Sequence, residues 1–88
     1  MNYLKKSKLK SFVFILINDF SLIAFSNAIE PLRLANRLAQ KQLYSWKITS
    51  ETGEKVKCSS GFYLDVDSSI HTIQNDDYLI TVSYTHLR

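Results

Sequence analysis

Between residues 11 and 82 the chain alternates short apolar runs with one long stretch of helical spacing. In residues 20–40, FSLIAFSNAIEPLRLANRLAQ, apolar side chains recur at Leu22, Phe25, Ile29 and Leu32, and Ala35 and Ala39 continue the stripe at three- and four-residue steps. Ile23, Leu34 and Leu38 widen the apolar surface beyond one stripe, so the pattern predicts a helix that is largely buried. The few charges, Glu30, Arg33 and Arg37, fall on the remaining side, with Glu30 and Arg33 spaced to pair. Pro31 interrupts: inside a helix it deprives the Asn27 carbonyl of its donor and bends the axis. The apolar spacing passes through the proline without slipping, which predicts one kinked helix rather than two.

Residues 11–17, SFVFILI, form a continuous run rich in β-branched and aromatic residues, the pattern of a strand buried on both faces of a parallel sheet. Asn18-Asp19 is a turn signal, and Asp19 or Ser21 can cap the helix that follows. Residues 43–50 alternate Tyr44, Trp46 and Ile48 against Ser45, Lys47 and Thr49, a second strand with one better-buried face. Strand, helix, strand implies parallel pairing through a right-handed crossover. Glu51-Thr52-Gly53-Glu54 is a tight turn with Gly53 at a positive φ. Two short extended pieces flank Gly61, residues 65–74 hold one helical turn, and residues 76–82, DDYLITV, read as another buried strand.

The order predicts an α/β fold, a doubly wound parallel sheet. One long helix for three or more strands leaves such a sheet incomplete, so only its N-terminal half is expected, with an uncovered face and edge that promote association.

Eighty-eight residues allow one small domain or part of a larger one, and bury only about 60–65% of the unfolded surface. The hydrophobic fraction of 45% and charged fraction of 22% are those of an ordinary soluble domain. Of the net charge of +3, Lys5, Lys6, Lys8 and Lys10 supply more than the whole, so residues 1–10 read as a basic flexible tail rather than as a nucleic-acid-binding face. Cys58, the single cysteine, excludes an internal disulfide and points to a reducing, cytoplasmic setting, with Cys58 packed as a small hydrophobe. Lysines followed by SFVFILI and FSLIAFSNA also fit a signal peptide cleaved after Ala28, but Asn18-Asp19 breaks the apolar run, and the strand–turn–helix reading explains the periodicity on both sides of it. No apolar run approaches the ~20 residues that span a bilayer, so no membrane partner is expected.

The segments FVFILINDFSLIAFSNAIEPLRLANRLA, LYSWKITSETGEKVKCSSGFYLDVDSSI and DDYLITV, in that order, resemble the N-terminal domain of GlxA-type, AraC-family transcriptional regulators, in the ThiJ/PfpI, class I glutamine amidotransferase-like superfamily. The resemblance spans residues 11–82. It implies a flavodoxin-like domain that senses a small-molecule effector, followed by paired helix-turn-helix motifs that bind DNA, in a protein that forms homodimers and needs no cofactor. The ligand pocket it implies lies at the carboxyl ends of the parallel strands, with Asn18, Asp19 and Phe20 at its edge as ligand-binding residues. Taken singly, each of the three reads equally as a turn or cap residue.

Enzymes of this superfamily use a cysteine on a strand-to-helix elbow and an acid early on the first helix. Aligning the helix by Ala35-Asn36 puts Ala24 at the acid position, where it can neither orient nor protonate a thiol. Cys58 does not match the elbow, which would fall beyond residue 88. His71 and His86 have no cysteine or acid partner at a recognisable spacing and form no metal pair. The expectation is a non-catalytic segment without a metal, the alternative a fragment of a ThiJ/PfpI-type amidase- or protease-like enzyme. After residue 82 the family continues with glycines, whereas this chain reads SYTHLR. With Val82, that string resembles translated sequencing-adaptor read-through. Residues 83–88 are therefore expected to be a non-native tail, and residues 11–82 the first part of a sensor domain whose DNA-binding region lies elsewhere.

Overall fold

In the computed structural model, which describes residues 9–83, the first apolar run forms the central strand β1, Lys10–Leu16. It is followed by α1, Leu22–Ala39, and β2, Tyr44–Ser50. The two-residue strands β3, Val56–Lys57, and β4, Tyr63–Leu64, pair antiparallel as a hairpin. The short strand β5, Ser68–Ser69, runs into a single 3-10 turn, Ile70–Thr72, and the last strand is β6, Tyr78–Val82. The main sheet has the order β5-β2-β1-β6 and every pair in it is parallel. The α/β parallel arrangement expected from the sequence is therefore present. Of the basic segment 1–10, Lys10 opens β1; Lys5, Lys6, Lys8 and His86 lie outside the described residues.

Register explains the core. Phe12 lies beside Trp46 and Tyr78, Phe14 between Ile48 and Ile80, and Leu16 beside Val82. This face meets the α1 stripe of Leu22, Phe25, Ile29 and Leu32. Phe25 stands edge-on to Phe14 at 5.4 Å and to Phe20 at 6.0 Å between ring centroids, the arrangement that aromatic quadrupoles favour. On the opposite face Val13 and Thr49 are buried, and the Thr49 hydroxyl donates to the Phe14 carbonyl at 3.0 Å.

Helix α1 runs unbroken through Pro31. Ser21, not Asp19, is its cap: Ser21 Oγ accepts from Ala24 N–H at 3.2 Å, while Asp19 takes a left-handed φ of 67° in the preceding turn. Two expectations are corrected. The helix is not largely buried, since Ile23 is 72% and Leu38 83% exposed and Leu34 is also at the surface. One helix lying on one sheet buries a single stripe, and nothing among the described residues packs on its outer side. Nor is β6 buried: among the described residues it lies at the edge of the sheet, with Tyr78 and Leu79 about half exposed. Strand β5 was hidden in a polar stretch. It is fixed by backbone bonding between Asp67 and Ile48 and by an Asp67 carboxylate oxygen that accepts from Ile48 N–H at 2.8 Å.

Candidate functional site

The carboxyl ends of β1 and β2 and the segment leading into β3 enclose a cleft of about 270 Å³. Leu16, Ile17 and Asn18 come from the end of β1, Ser50, Glu51 and Thr52 from the end of β2, and Glu54, Lys55 and Val56 from the far side of the turn. Parallel α/β sheets bind ligands at this end of their strands because the connecting loops diverge there.

One serine fixes the turn that forms the cleft wall. Ser50 Oγ donates to the Glu54 carbonyl at 2.7 Å and accepts from Gly53 N–H at 3.0 Å. Gly53 has φ +88°, and a Cβ there would stand 3.2 Å from Ser69 N. Glycine thus satisfies both the backbone conformation and the approach of β5. The residues lining the cleft are a mixture: Glu51, Glu54, Lys55, Asn18 and Thr52 beside Leu16, Ile17 and Val56, with the Lys55 ammonium 5.1 Å from the centre of the Tyr63 ring and the Thr52 hydroxyl accepting from Glu54 N–H. Such a lining can engage a small polar molecule through charge and hydrogen bonds.

The β1–α1 turn is laced to its neighbours. Asp19 N–H donates to the Lys57 carbonyl at 2.7 Å, Ser59 N–H to the Phe20 carbonyl at 2.8 Å, and Ser21 N–H to the Ser83 carbonyl at 3.1 Å. Of the three residues expected at a pocket edge, Asn18 lines the cleft. Asp19 is exposed and 3.6 Å from the Lys57 ammonium, an ion pair of small energetic weight at this exposure. Phe20 is fully buried, its backbone bridged to Cys58 and its ring in the core, because the turn folds it beneath the hairpin. Its side chain gives the cleft no surface. Cys58 is likewise fully buried, as a small hydrophobe. Ala24 packs against the core and His71 sits exposed in the 3-10 turn.

The acidic and basic residues of the cleft wall, Glu51, Glu54 and Lys55, were missed as site candidates. The sequence marks them only as a turn, and nothing in their spacing says that the turn closes over the end of β1. Among the described residues no group of three His, Cys, Asp or Glu could hold a metal ion. A second hollow of about 300 Å³ opens beside Ser11, Ser45, Lys47, Gln74 and Asp77. There the Ser11 and Ser45 hydroxyls bond each other at 3.2 Å, and Lys47 Nζ donates to the Thr72 carbonyl and hydroxyl, so much of its polar capacity is already engaged.

A parallel sheet with a crossover helix and a cleft at its strand ends is a flavodoxin-like α/β arrangement, present in part. Among solved structures, the crystal structure of an AraC family transcriptional regulator from Pseudomonas putida superposes with a TM-score of 0.75 at 23% identity, over 90% of this chain and 43% of that one. In sequence the chain is similar to the HTH-type transcriptional regulator CdhR of Pseudomonas aeruginosa, 35% identical over 74 residues, which cover 84% of this chain and 22% of that protein. It is also similar to the HTH-type transcriptional regulator GlxA of Rhizobium meliloti, 38% identical over 66 residues, 68% of this chain and 20% of that protein. The chain thus spans about a fifth of the length of these curated relatives. No protein-family model matches it.

Proposed function

We propose that the chain is the first part of the small-molecule-sensing domain of an HTH-type transcriptional regulator, of the ThiJ/PfpI-like kind, and that it performs no catalysis. The observation that carries this reading is the similarity to CdhR along 84% of the chain. The cleft supports it as the place of the effector, with Asn18 and Lys55 as contacts, Asp19 holding the turn through its backbone, and Phe20 anchoring that turn in the core. Ala24, apolar where an acid would serve a thiol, supports the non-enzymatic reading. On this proposal DNA is contacted only by a helix-turn-helix region outside these 88 residues, the complete regulator is a cytoplasmic homodimer, and binding in the cleft changes its hold on DNA. Among the described residues no helix is long and apolar enough to cross a membrane.

Long-read sequencing of the locus through and beyond the codon for Arg88 tests the proposal. A reading frame that continues through the remaining strands into a helix-turn-helix pair is the expected result. A frame that supplies a cysteine elbow and no such pair sinks it.

A further inference from the structure

One wall of the cleft is held by a single hydroxyl. Ser50, 4% exposed at the end of β2, spends its one proton on the Glu54 carbonyl and accepts from Gly53 N–H. These two bonds close residues 50–54 into a loop that carries Glu51, Thr52 and Glu54 along the cleft, with Lys55 following. Little else fixes them. The Thr52 hydroxyl accepts from Glu54 N–H only at 3.4 Å, beyond the usual range, and among the described residues neither Glu51 nor Glu54 has an ion-pair partner. Behind the loop, Gly53 lies against the Ser69 backbone. The wall thus belongs to β2, the turn and β5, at the opposite edge of the sheet from β6.

We infer that Ser50 is a positioning residue of the effector site and sets which charge pattern the cleft accepts. The inference rests on the reading of the cleft as the place of the effector. With its proton committed to Glu54, Ser50 has no donor left for a ligand, so it acts through the loop. A site discriminates among ligands of one size when its polar groups stand fixed before binding. A wall that is ordered only on binding loses affinity for every ligand, and its polar groups adapt to each. Removing the hydroxyl leaves the Glu54 carbonyl and Gly53 N–H to water, which holds them in no single arrangement. The carboxylates of Glu51 and Glu54 then lose their set spacing from Asn18, on the β1 side of the cleft.

The test is differential scanning fluorimetry of the complete regulator with butyrate, butylammonium, γ-aminobutyrate and butyramide, which share a four-carbon skeleton and differ in charge. A molecule that binds the folded state raises Tm with concentration, so each series yields an apparent Kd. The wild type should favour one probe, and Asn18→Ala should weaken its binding. Ser50→Ala should raise the Kd of the favoured probe about tenfold and bring it within about threefold of the next probe's. Ser50→Thr, which keeps the hydroxyl, should keep the preference. If no probe raises the wild-type Tm, or if Asn18→Ala leaves the favoured probe's Kd unchanged, the reading of the cleft falls and the inference with it. If Asn18→Ala weakens binding while a folded Ser50→Ala protein keeps the wild-type preference, the inference alone is overturned. An equal loss for every probe overturns it too, since that marks a purely structural role, as does a wild type that binds all of them alike. Should Ser50→Ala not fold, Ser50→Cys decides by the same criteria, because its thiol fills the position with a weak donor and a weak acceptor.

Discussion

The side chain of Asn36 holds both backbone groups of Tyr44: its Oδ1 accepts from Tyr44 N–H at 3.0 Å and its Nδ2 donates to the Tyr44 carbonyl at 3.0 Å. Oδ1 also accepts from Leu43 N–H at 2.8 Å, and the Asn36 carbonyl accepts from Lys41 N–H. One carboxamide thereby joins the end of α1 to the start of β2. Replacing it by alanine leaves these backbone groups partly buried with only water to serve them. Asn36→Ala should destabilise the chain by about 1–3 kcal/mol. Asn36→Asp, which keeps the acceptor but presents a second one to the Tyr44 carbonyl, should cost no less. Urea denaturation at one fixed protein concentration measures both. An Asn36→Ala midpoint equal to the wild type would show that the clamp is idle.

The two glycines predict a contrast. Both have positive φ, +88° at Gly53 and +101° at Gly61, so alanine is strained at either, by about 1–3 kcal/mol. At Gly53 the new methyl also meets Ser69 N at 3.2 Å, whereas at Gly61 there is open space. Gly53→Ala should therefore be the more destabilising, and should speed amide exchange at Ser68 and Ser69, which Gly61→Ala leaves alone. Equal losses would mean that the approach of β5 to the turn carries no energy.

These particulars show which parts of the molecule can be read from its sequence. The strand, turn and helix around Asn18-Asp19 follow from local signals: an unbroken apolar run, two turn formers and a periodic stripe. Pairing partners follow too, because a crossover helix forces parallel neighbours. Exposure does not. Ile23 and Leu38 have the same composition as buried helix residues, and only the number of layers against α1 decides their fate. The same reason defeats Phe20, an aromatic after a turn, which the hairpin covers through its bridge to Cys58. Asn36 is a landmark of the helix in sequence, yet its hydrogen bonds depend on where the chain returns eight residues later. The cleft wall is legible as a turn, but its role needs the third dimension.

One acid limb of stability can be assigned. The hydrogen bond from Arg33 holds the Glu30 carboxyl below its usual 4.5, opposed by desolvation and helped, to a smaller degree, by the guanidinium charge. Arg33 Nε donates to Glu30 Oε1 at 3.0 Å. A carboxylate depressed in the folded state contributes stability that is complete above its unfolded value and disappears as pH falls through the folded one. Wild type and Glu30→Gln should thus differ slightly at pH 7, where the exposed pair is screened by solvent, and converge below the carboxylate range. Urea midpoints across acid pH check the sign, which a divergence on acidification would reverse.

The two faces of α1 provide the sharpest stability comparison. Phe25 is 8% exposed and sits edge-on to both Phe14 and Phe20, at the junction of the sheet, the helix and the β1–α1 turn. Truncation there removes buried area, breaks two aromatic contacts and opens a cavity that the sheet cannot close, since Phe14 is held between Ile48 and Ile80. Phe25→Ala should cost about 3–5 kcal/mol, enough to threaten folding of so small a core. Leu38, on the same helix and of similar hydropathy, is 83% exposed, and Leu38→Ala should stay within about 0.5 kcal/mol of the wild type. Chemical denaturation of the pair therefore reads which side of the helix is the core. A large loss in Leu38→Ala would mean that its face is covered in solution.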